Sequence, residues 1–245
     1  MLDPATPEHP YPSRSREFWR GVLDTLPMMF GAAPFGLIFG TLAASSGLSP
    51  GGALGMSLIV FAGSSQFIAL SLLAGKASLL VLVLTTFVVN LRHALYSASL
   101  LPHVAKLNQG WRALLAFWLT DETFAVVQLR YGAADDSPHK HWFQFGSGLS
   151  MYLNWFLWTL AGVLLGQTMP QLQHLGLEFA MAATFTGIVV PLLRNRPMIV
   201  AALVAAAVAL LGRGLPYKLG LMLATLAGVV AGMALEGRTA PKEAQ

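Results

Sequence analysis

From Pro27 to Gly75 the chain carries no charged residue. Between 77 and 129 only Arg92, Lys106, Arg112, Asp121 and Glu122 are charged. A soluble fold keeps far more charge at its surface, whereas apolar runs of about 20 residues are what a bilayer-spanning helix requires. The composition agrees. Charged residues make up 11% of the 245 positions, hydrophobic residues 55%, and the mean hydropathy is +0.62. An average soluble domain is roughly 25% charged. The expected fold class is therefore all-α: a polytopic integral membrane helical bundle in a lipid bilayer.

About seven to eight hydrophobic segments can be marked, eight at most: 26–46, 53–75, 78–101, 113–129, 142–166, 177–194, 198–212 and 217–235. The segment 198–212 gives about 22 Å of helix, short for a hydrocarbon core of about 30 Å, so six to eight full crossings fit the pattern. Residues 1–20 read as a polar N-terminal tail, 21–236 as the transmembrane domain and 237–245 as a polar C-terminal tail. The stretch "MLDPATPEHPYPSRSREFWR" is too polar for a signal peptide. Arg14, Arg16 and Arg20 favour a cytoplasmic N-terminus. If every segment spans, Lys106 and Arg112 fall on the side opposite Arg20. If the second segment, interrupted by "VFAGSSQFIAL", does not span fully, they return to the same side, in better agreement with the positive-inside rule.

The formal charge of +4 speaks of loops and orientation in such a chain, not of nucleic acid. The absence of cysteine excludes disulfides, thiolate metal sites and a cysteine nucleophile. Zinc-protease, nucleophile-elbow and phosphate-loop motifs are absent, and His139 and His141 sit in a loop without further metal ligands nearby, so no cofactor or metal is expected. Any pumping then draws on an ion gradient or a partner. Glycines spaced by four, Gly36/Gly40, Gly51/Gly55, Gly162/Gly166 and Gly228/Gly232, predict close helix packing within the bundle.

Against this oily background the polar groups of the third and fourth segments stand out. Asn90 lies about 18 Å into a helix that starts at Ser78, so Asn90, Arg92 and His93 fall near mid-depth. Asp121 and Glu122 fall near the middle of the fourth segment. A charge at that depth costs between about 2.5 and 17 kcal/mol unless it faces a partner or a wet cavity. Asn90, His93 and Ser97 share one helix face, and Arg92, Tyr96 and Ser99 the adjacent one. Arg92 and Asp121 suit either a structural ion pair or a solute site. Two interruptions precede them. Pro34, flanked by Gly31 and Gly36, lies deep in the first segment, which Pro27 opens with Asp24 as its capping residue. Gly63, Ser64, Ser65 and Gln66 break the second. In secondary transporters such breaks build the mid-depth site. Ser64 and Ser65 also admit an intramembrane nucleophile, without an evident base. A comparison of 24–101 with 177–235 finds only a shared proline-interrupted first segment, too little to define a repeat.

The combination of "GAAPFGLIFGTLAASSGLS", "VFAGSSQFIAL", "VVNLRHALYSASLLPH" and "LTDETFAV", over residues 27 to 124, resembles the AzlC (YgaZ-like) family, as does the later "FAMAATFTGIVVPLL". The resemblance implies a bacterial inner-membrane secondary transporter, the large subunit of a branched-chain amino acid exporter for valine, leucine, isoleucine and sometimes methionine. It implies a separate small hydrophobic partner of the AzlD type. A zwitterionic substrate then finds its carboxylate receptor in Arg92 or the breaks at Pro34 and Gly63. Its ammonium receptor is Asp121, and Met28, Met29, Phe30 and Phe35 form its apolar pocket. Asp121, Glu122 or His93 would carry a coupled proton. A transporter of another small solute and a non-transporting scaffold subunit are the rival readings.

Overall fold

The computed structural model describes residues 11–135, 137–168, 186, 190, 193, 195–215 and 219–239. The expected segment 177–194, the "FAMAATFTGIVVPLL" stretch and the chain from 240 onward lie almost wholly outside the described residues. Those described are helical throughout, without strands.

Helix α1 (Arg14–Ala43) starts earlier than the sequence reading placed it. The Ser13 hydroxyl accepts a hydrogen bond from the Arg16 amide and caps it, with Glu17 in the first turn. Asp24 therefore lies inside the helix, not at its cap, and pairs with Arg20 one turn back. Pro27 and Pro34 are both internal, and the helix runs through them. The expected break at Pro34 is absent. Its ring sits on the exposed side of the helix. Asn154 donates to the Met29 carbonyl at 3.1 Å, next to the Phe30 carbonyl that Pro34 leaves without its helical donor.

A short 3-10 turn (Ala44–Ser46) leads to α2 (Pro50–Ile59) and α3 (Gly63–Ala74), then come α4 (Leu79–Val104), α5 (Gln109–Phe117), α6 (Asp121–Tyr131) and α7 (Lys140–Thr168). Helices α8 (Arg196–Leu211) and α9 (Leu219–Thr239) pack mainly on each other. The second segment is thus broken at Val60–Ala62, as its polar run predicts. The fourth is also broken, at Trp118–Thr120, where one continuous helix was expected. Thr120 explains it: in extended conformation, its hydroxyl accepts from the Thr123 amide, and Asp121 and Glu122 fill the first turn of a new helix.

Contacts fix the direction of each piece. Helices α1 and α7 run parallel, since Thr25 bonds Ser147, Asn154 bonds Met29, and Thr41 bonds the Gly162 carbonyl. Their backbones touch. A side chain at Gly40 would collide with the Thr159 carbonyl, and one at Gly162 with that of Leu37. Gly51 and Gly55, by contrast, face open space.

Helix α2 enters from the C-terminal end of α1 and runs inward. Ser57 meets Thr159, and the freed Leu58 carbonyl accepts from the Tyr152 hydroxyl. The chain reverses at Phe61, whose φ of 35° is left-handed and unusual for an aromatic residue. Helix α3 then runs back out. Phe67 packs on Phe35 and Phe39, and the helix ends against the 3-10 turn after α1. So α2 and α3 form a re-entrant hairpin. Each is about 15–18 Å long, half a hydrocarbon core.

Helix α4 crosses the other way, and His103 near its end stacks on Tyr131. Helix α5 climbs from that end, with Trp111 against Trp142 and Phe117 against Tyr152. Helix α6 returns, placing Tyr131 on Gln144. This is a second re-entrant hairpin, from the opposite side. The unit of one long helix followed by one hairpin therefore occurs twice, over 14–74 and 79–131, with inverted direction. In each unit an aromatic of the outgoing half-helix packs on the long helix: Phe67 on Phe35 and Phe39, Phe124 on Tyr96. The repeat among the described residues thus lies within the first 131 positions, while most of 177–194 lies outside them.

This arrangement returns Lys106 and Arg112 to the end that holds Arg14, Arg16, Arg20, Arg130 and Lys140. At the other end, Lys76 and Arg213 line one shallow depression.

Candidate functional site

The two hairpin tips meet at mid-depth. Between them lies a cavity of about 50 Å³, room for a few water molecules. Hairpin one contributes Phe61, Gly63, Ser64 and Phe67, and hairpin two contributes Thr120, Asp121 and Glu122. Helix α4 supplies Arg92, α1 supplies Ala32 and Phe35, and α7 supplies Met151 and Trp155.

Arg92 ties the tips together. Its Nη1 lies 3.1 Å from Asp121 Oδ2, and its Nη2 donates to Ser64 Oγ at 2.7 Å. The Tyr96 hydroxyl donates to Asp121 Oδ1 at 2.7 Å. Ser65 Oγ donates to Asn90 Oδ1 at 2.6 Å, fixing α3 to α4. His93 approaches the Asn90 carbonyl at 3.2 Å and stands edge-on to Tyr96. Arg92 and Asp121 side chains are 29% and 42% exposed. The pair is thus reachable from the cavity, not sealed within the packing.

The two half-helix N-termini at the cavity differ. That of α6 is capped by Thr120 and carries two carboxylates. That of α3 has Ala62 at its cap position, with no side-chain cap and no acidic residue in its first turn. Its leading amides and positive dipole end are open to an anion. Behind it, fully buried Gln66 donates to Ser57 Oγ at 3.2 Å, and Ser57 pairs with Thr159 at 2.9 Å.

Of the residues singled out from sequence, Gly63, Ser64, Arg92, Asp121 and Glu122 line the cavity. Ser65, Gln66, Asn90, His93 and Tyr96 support it from behind. Pro34 points away from it, and Gly36 packs on Trp158 and Trp155. The apolar pocket also differs from expectation. Met28 and Phe30 are exposed, and Phe30 is 76% so. Helical direction turns them from α7, while Phe35 does line the cavity. Phe61, Phe67, Met151 and Trp155 complete the wall. They lie far apart in sequence, and only the hairpin reversal gathers them.

A second polar cluster, also not anticipated, lies toward the N-terminal end of α1. Arg130 donates to both carboxylate oxygens of Glu17, from Nε at 3.0 Å and from Nη2, and to Asp135 at 2.7 Å from Nη1. Arg130 and Glu17 side chains are 2% and 0% exposed. The Arg130 hydrogen bonds hold the Asp135 carboxyl below the usual carboxylate range. This cluster fastens α6 to α1.

Comparison with known proteins matches this architecture to one family. The AzlC protein family profile covers residues 27–169, both hairpins and all of α7. The chain belongs to the AzlC family. It is similar to the inner membrane protein YgaZ of Escherichia coli K12, 32% identical over 171 residues, 69% of each chain. An uncharacterized membrane protein of Archaeoglobus fulgidus is 33% identical over 219 residues, covering 88% of this chain and 94% of that protein. The branched-chain amino acid transport protein AzlC of Bacillus subtilis is 29% identical over 161 residues, 66% of this chain and 62% of that protein. No solved structure matches. The chain is thus a membrane protein of a family with an amino acid transport member.

Proposed function

We propose that this chain is a secondary transporter that exports branched-chain amino acids, namely valine, leucine, isoleucine and also methionine. It works in the cytoplasmic membrane with a small hydrophobic AzlD-type subunit. The observation that carries the reading is the cavity between the hairpin tips. There a guanidinium and an uncapped helix N-terminus face carboxylates across an aromatic and aliphatic wall.

Each part of the substrate has a counterpart. The carboxylate is received by Arg92 and the open amides of α3. The aliphatic side chain is received by Phe35, Phe61, Phe67, Met151 and Trp155. Asp121 and Ser64 hold Arg92, which avoids an unpaired charge at mid-depth. Substrate takes over part of this bonding. As it stands the cavity of about 50 Å³ has room for a few waters, and on this reading loading parts the tips. The basic residues orient the N-terminal end of α1 toward the cytoplasm. Hairpin two then faces the cytoplasm and hairpin one the opposite side, and moving either opens the site to one side only.

The test is efflux of labelled valine from cells lacking their own exporters. The arms are this chain alone, this chain with a candidate small subunit, and the pair with Arg92→Gln. Efflux that requires both chains and is lost with Arg92→Gln is expected. No efflux from the expressed wild-type pair sinks the amino acid assignment. A purely structural Arg92–Asp121 bolt predicts instead that Arg92→Asp combined with Asp121→Arg retains transport.

A further inference from the structure

We infer that Glu122 receives the ammonium group of the substrate. The inference rests on the amino acid reading above and refines it, moving this role away from Asp121. Asp121 is already engaged, with Arg92 on one oxygen and Tyr96 on the other. Glu122 lines the same cavity, and among the described residues it has no ion-pair partner. The ionisable groups around it are Asp121 on its own helix and Arg92 and Tyr96 on α4. The cavity residues of α1, α3 and α7 bring no charge. The Glu122 carboxyl is held, among the described residues, only by the Thr120 hydroxyl and its own backbone amide, and at membrane mid-depth it carries its charge best opposite a cation.

Two further atoms show where the other end of the ligand goes. Arg92 Nε and Trp155 Nε1 are buried donors without an acceptor among the described residues, and both residues line the cavity. Donors without an acceptor on one part of the wall and a carboxyl without a cation on another match a molecule with a carboxylate and an ammonium on one carbon. The substrate carboxylate takes over the Ser64 side of Arg92 while Asp121 keeps Nη1, so the ion pair itself is not expelled. The loaded site is then a line of alternating charge: Glu122, ammonium, carboxylate, Arg92, Asp121.

The experiment is equilibrium binding, to the purified full chain together with its candidate small subunit, of two ligands that share a carboxylate and an isopropyl group. They are L-valine and its 2-oxo acid, which lacks the ammonium. Wild type is expected to prefer valine by about 30-fold or more, the usual effect of deleting one partner of a desolvated charge pair. Glu122→Gln is expected to erase the preference by weakening valine while leaving the oxo acid unchanged. Glu122→Asp keeps the charge and shortens the reach. It is expected to weaken valine alone, and it serves should the glutamine variant fail to fold. Preference retained in Glu122→Gln, equal loss of both ligands in Glu122→Asp, or no preference in wild type would each overturn the assignment. Preference erased by Asp121→Asn but not by Glu122→Gln would return the ammonium to Asp121. Wild type that binds neither ligand overturns the amino acid reading itself, and this inference with it.

Discussion

Replacing Arg130 by Met separates a sealed ion pair from an open one. The Glu17 carboxylate is wholly buried and takes two hydrogen bonds from Arg130. Without the guanidinium it is left charged and unpaired, at a cost of about 3–5 kcal/mol. Asp135, with 40% of its side chain exposed, returns to water at little cost. Replacing Glu17 by Met as well removes the stranded charge, and two apolar side chains in place of a buried pair are often neutral. The double variant is therefore expected to recover most of the loss, a difference of about 3 kcal/mol between single and double. Denaturant unfolding of the detergent-solubilised chain, followed by the fluorescence of its six tryptophans, measures it. Equal destabilisation of single and double variants would refute the reasoning, since the loss would then come from packing. An unaffected Arg130→Met would mean that Glu17 is not sealed in the membrane.

The remaining predictions concern topology and pH. The chain has no cysteine, so single cysteines report sidedness directly. Ser45→Cys and Lys76→Cys are expected to react with an impermeant maleimide from one side, and Arg14→Cys and Lys106→Cys from the other. Labelling of positions 45 and 76 from opposite sides would show that the second segment spans and would dissolve the first re-entrant hairpin. The pH prediction follows from Asp135, whose folded pKa is lowered by Arg130. Its contribution is present above the unfolded carboxylate value of about 3.9 and is lost as pH falls through the folded value. Wild type is therefore expected to lose stability faster than Asp135→Asn on acidification below about pH 4, and both to be flat between pH 6 and 8 in this respect. Matching acid limbs in the two proteins would discount the Arg130–Asp135 bond.

What the sequence makes legible here is chemistry more than geometry. The uncharged run from Pro27 to Gly75 announces the bilayer. Arg92, Asp121 and Glu122 announce a site, because lipid makes such groups too costly to keep without a partner. "AGSSQF" announces a break, since small and hydroxyl residues release a helix that Leu and Val would continue. Pro34 misleads for a definable reason. Proline removes one hydrogen bond, and in lipid a neighbouring helix can supply a donor nearby, as Asn154 does for Met29. The break at Trp118–Thr120 was readable in retrospect from "TDET", a capping hydroxyl followed by acidic first-turn residues. An apolar run continuing on both sides hides it. Reversal of direction is not local information. Nothing in "VFAGSSQF" says whether the chain proceeds or turns back, and that depends on Tyr152, Trp155 and Phe35 meeting it from elsewhere. The Glu17–Arg130 pair, over a hundred residues apart, leaves no pattern at all.

The two ion pairs divide the work of the inverted repeat on the proposed reading. Both hairpins reach mid-depth from opposite sides, so symmetry alone would let either one move. Their fastenings are not symmetric. Hairpin two is bound to α1 through Arg130 and Glu17, a pair closed to water whose rupture strands a charge. Hairpin one has no ion pair among the described residues and is held by Phe67, Leu70 and Leu72 in the core, by Tyr152 on the Leu58 carbonyl, and by Ser64 and Ser65 on α4. The bond it shares with hairpin two runs through Arg92, which is the part a zwitterion can take over. A ligand entering the cavity therefore competes with the contact between the tips and leaves the Arg130 bolt intact. The easier motion is that of hairpin one, away from the basic end, and this is the direction in which an exporter releases its load. Opening toward the basic end needs a separate source of energy to part Arg130 from Glu17, which on the proposed reading comes from the partner subunit or a coupled ion.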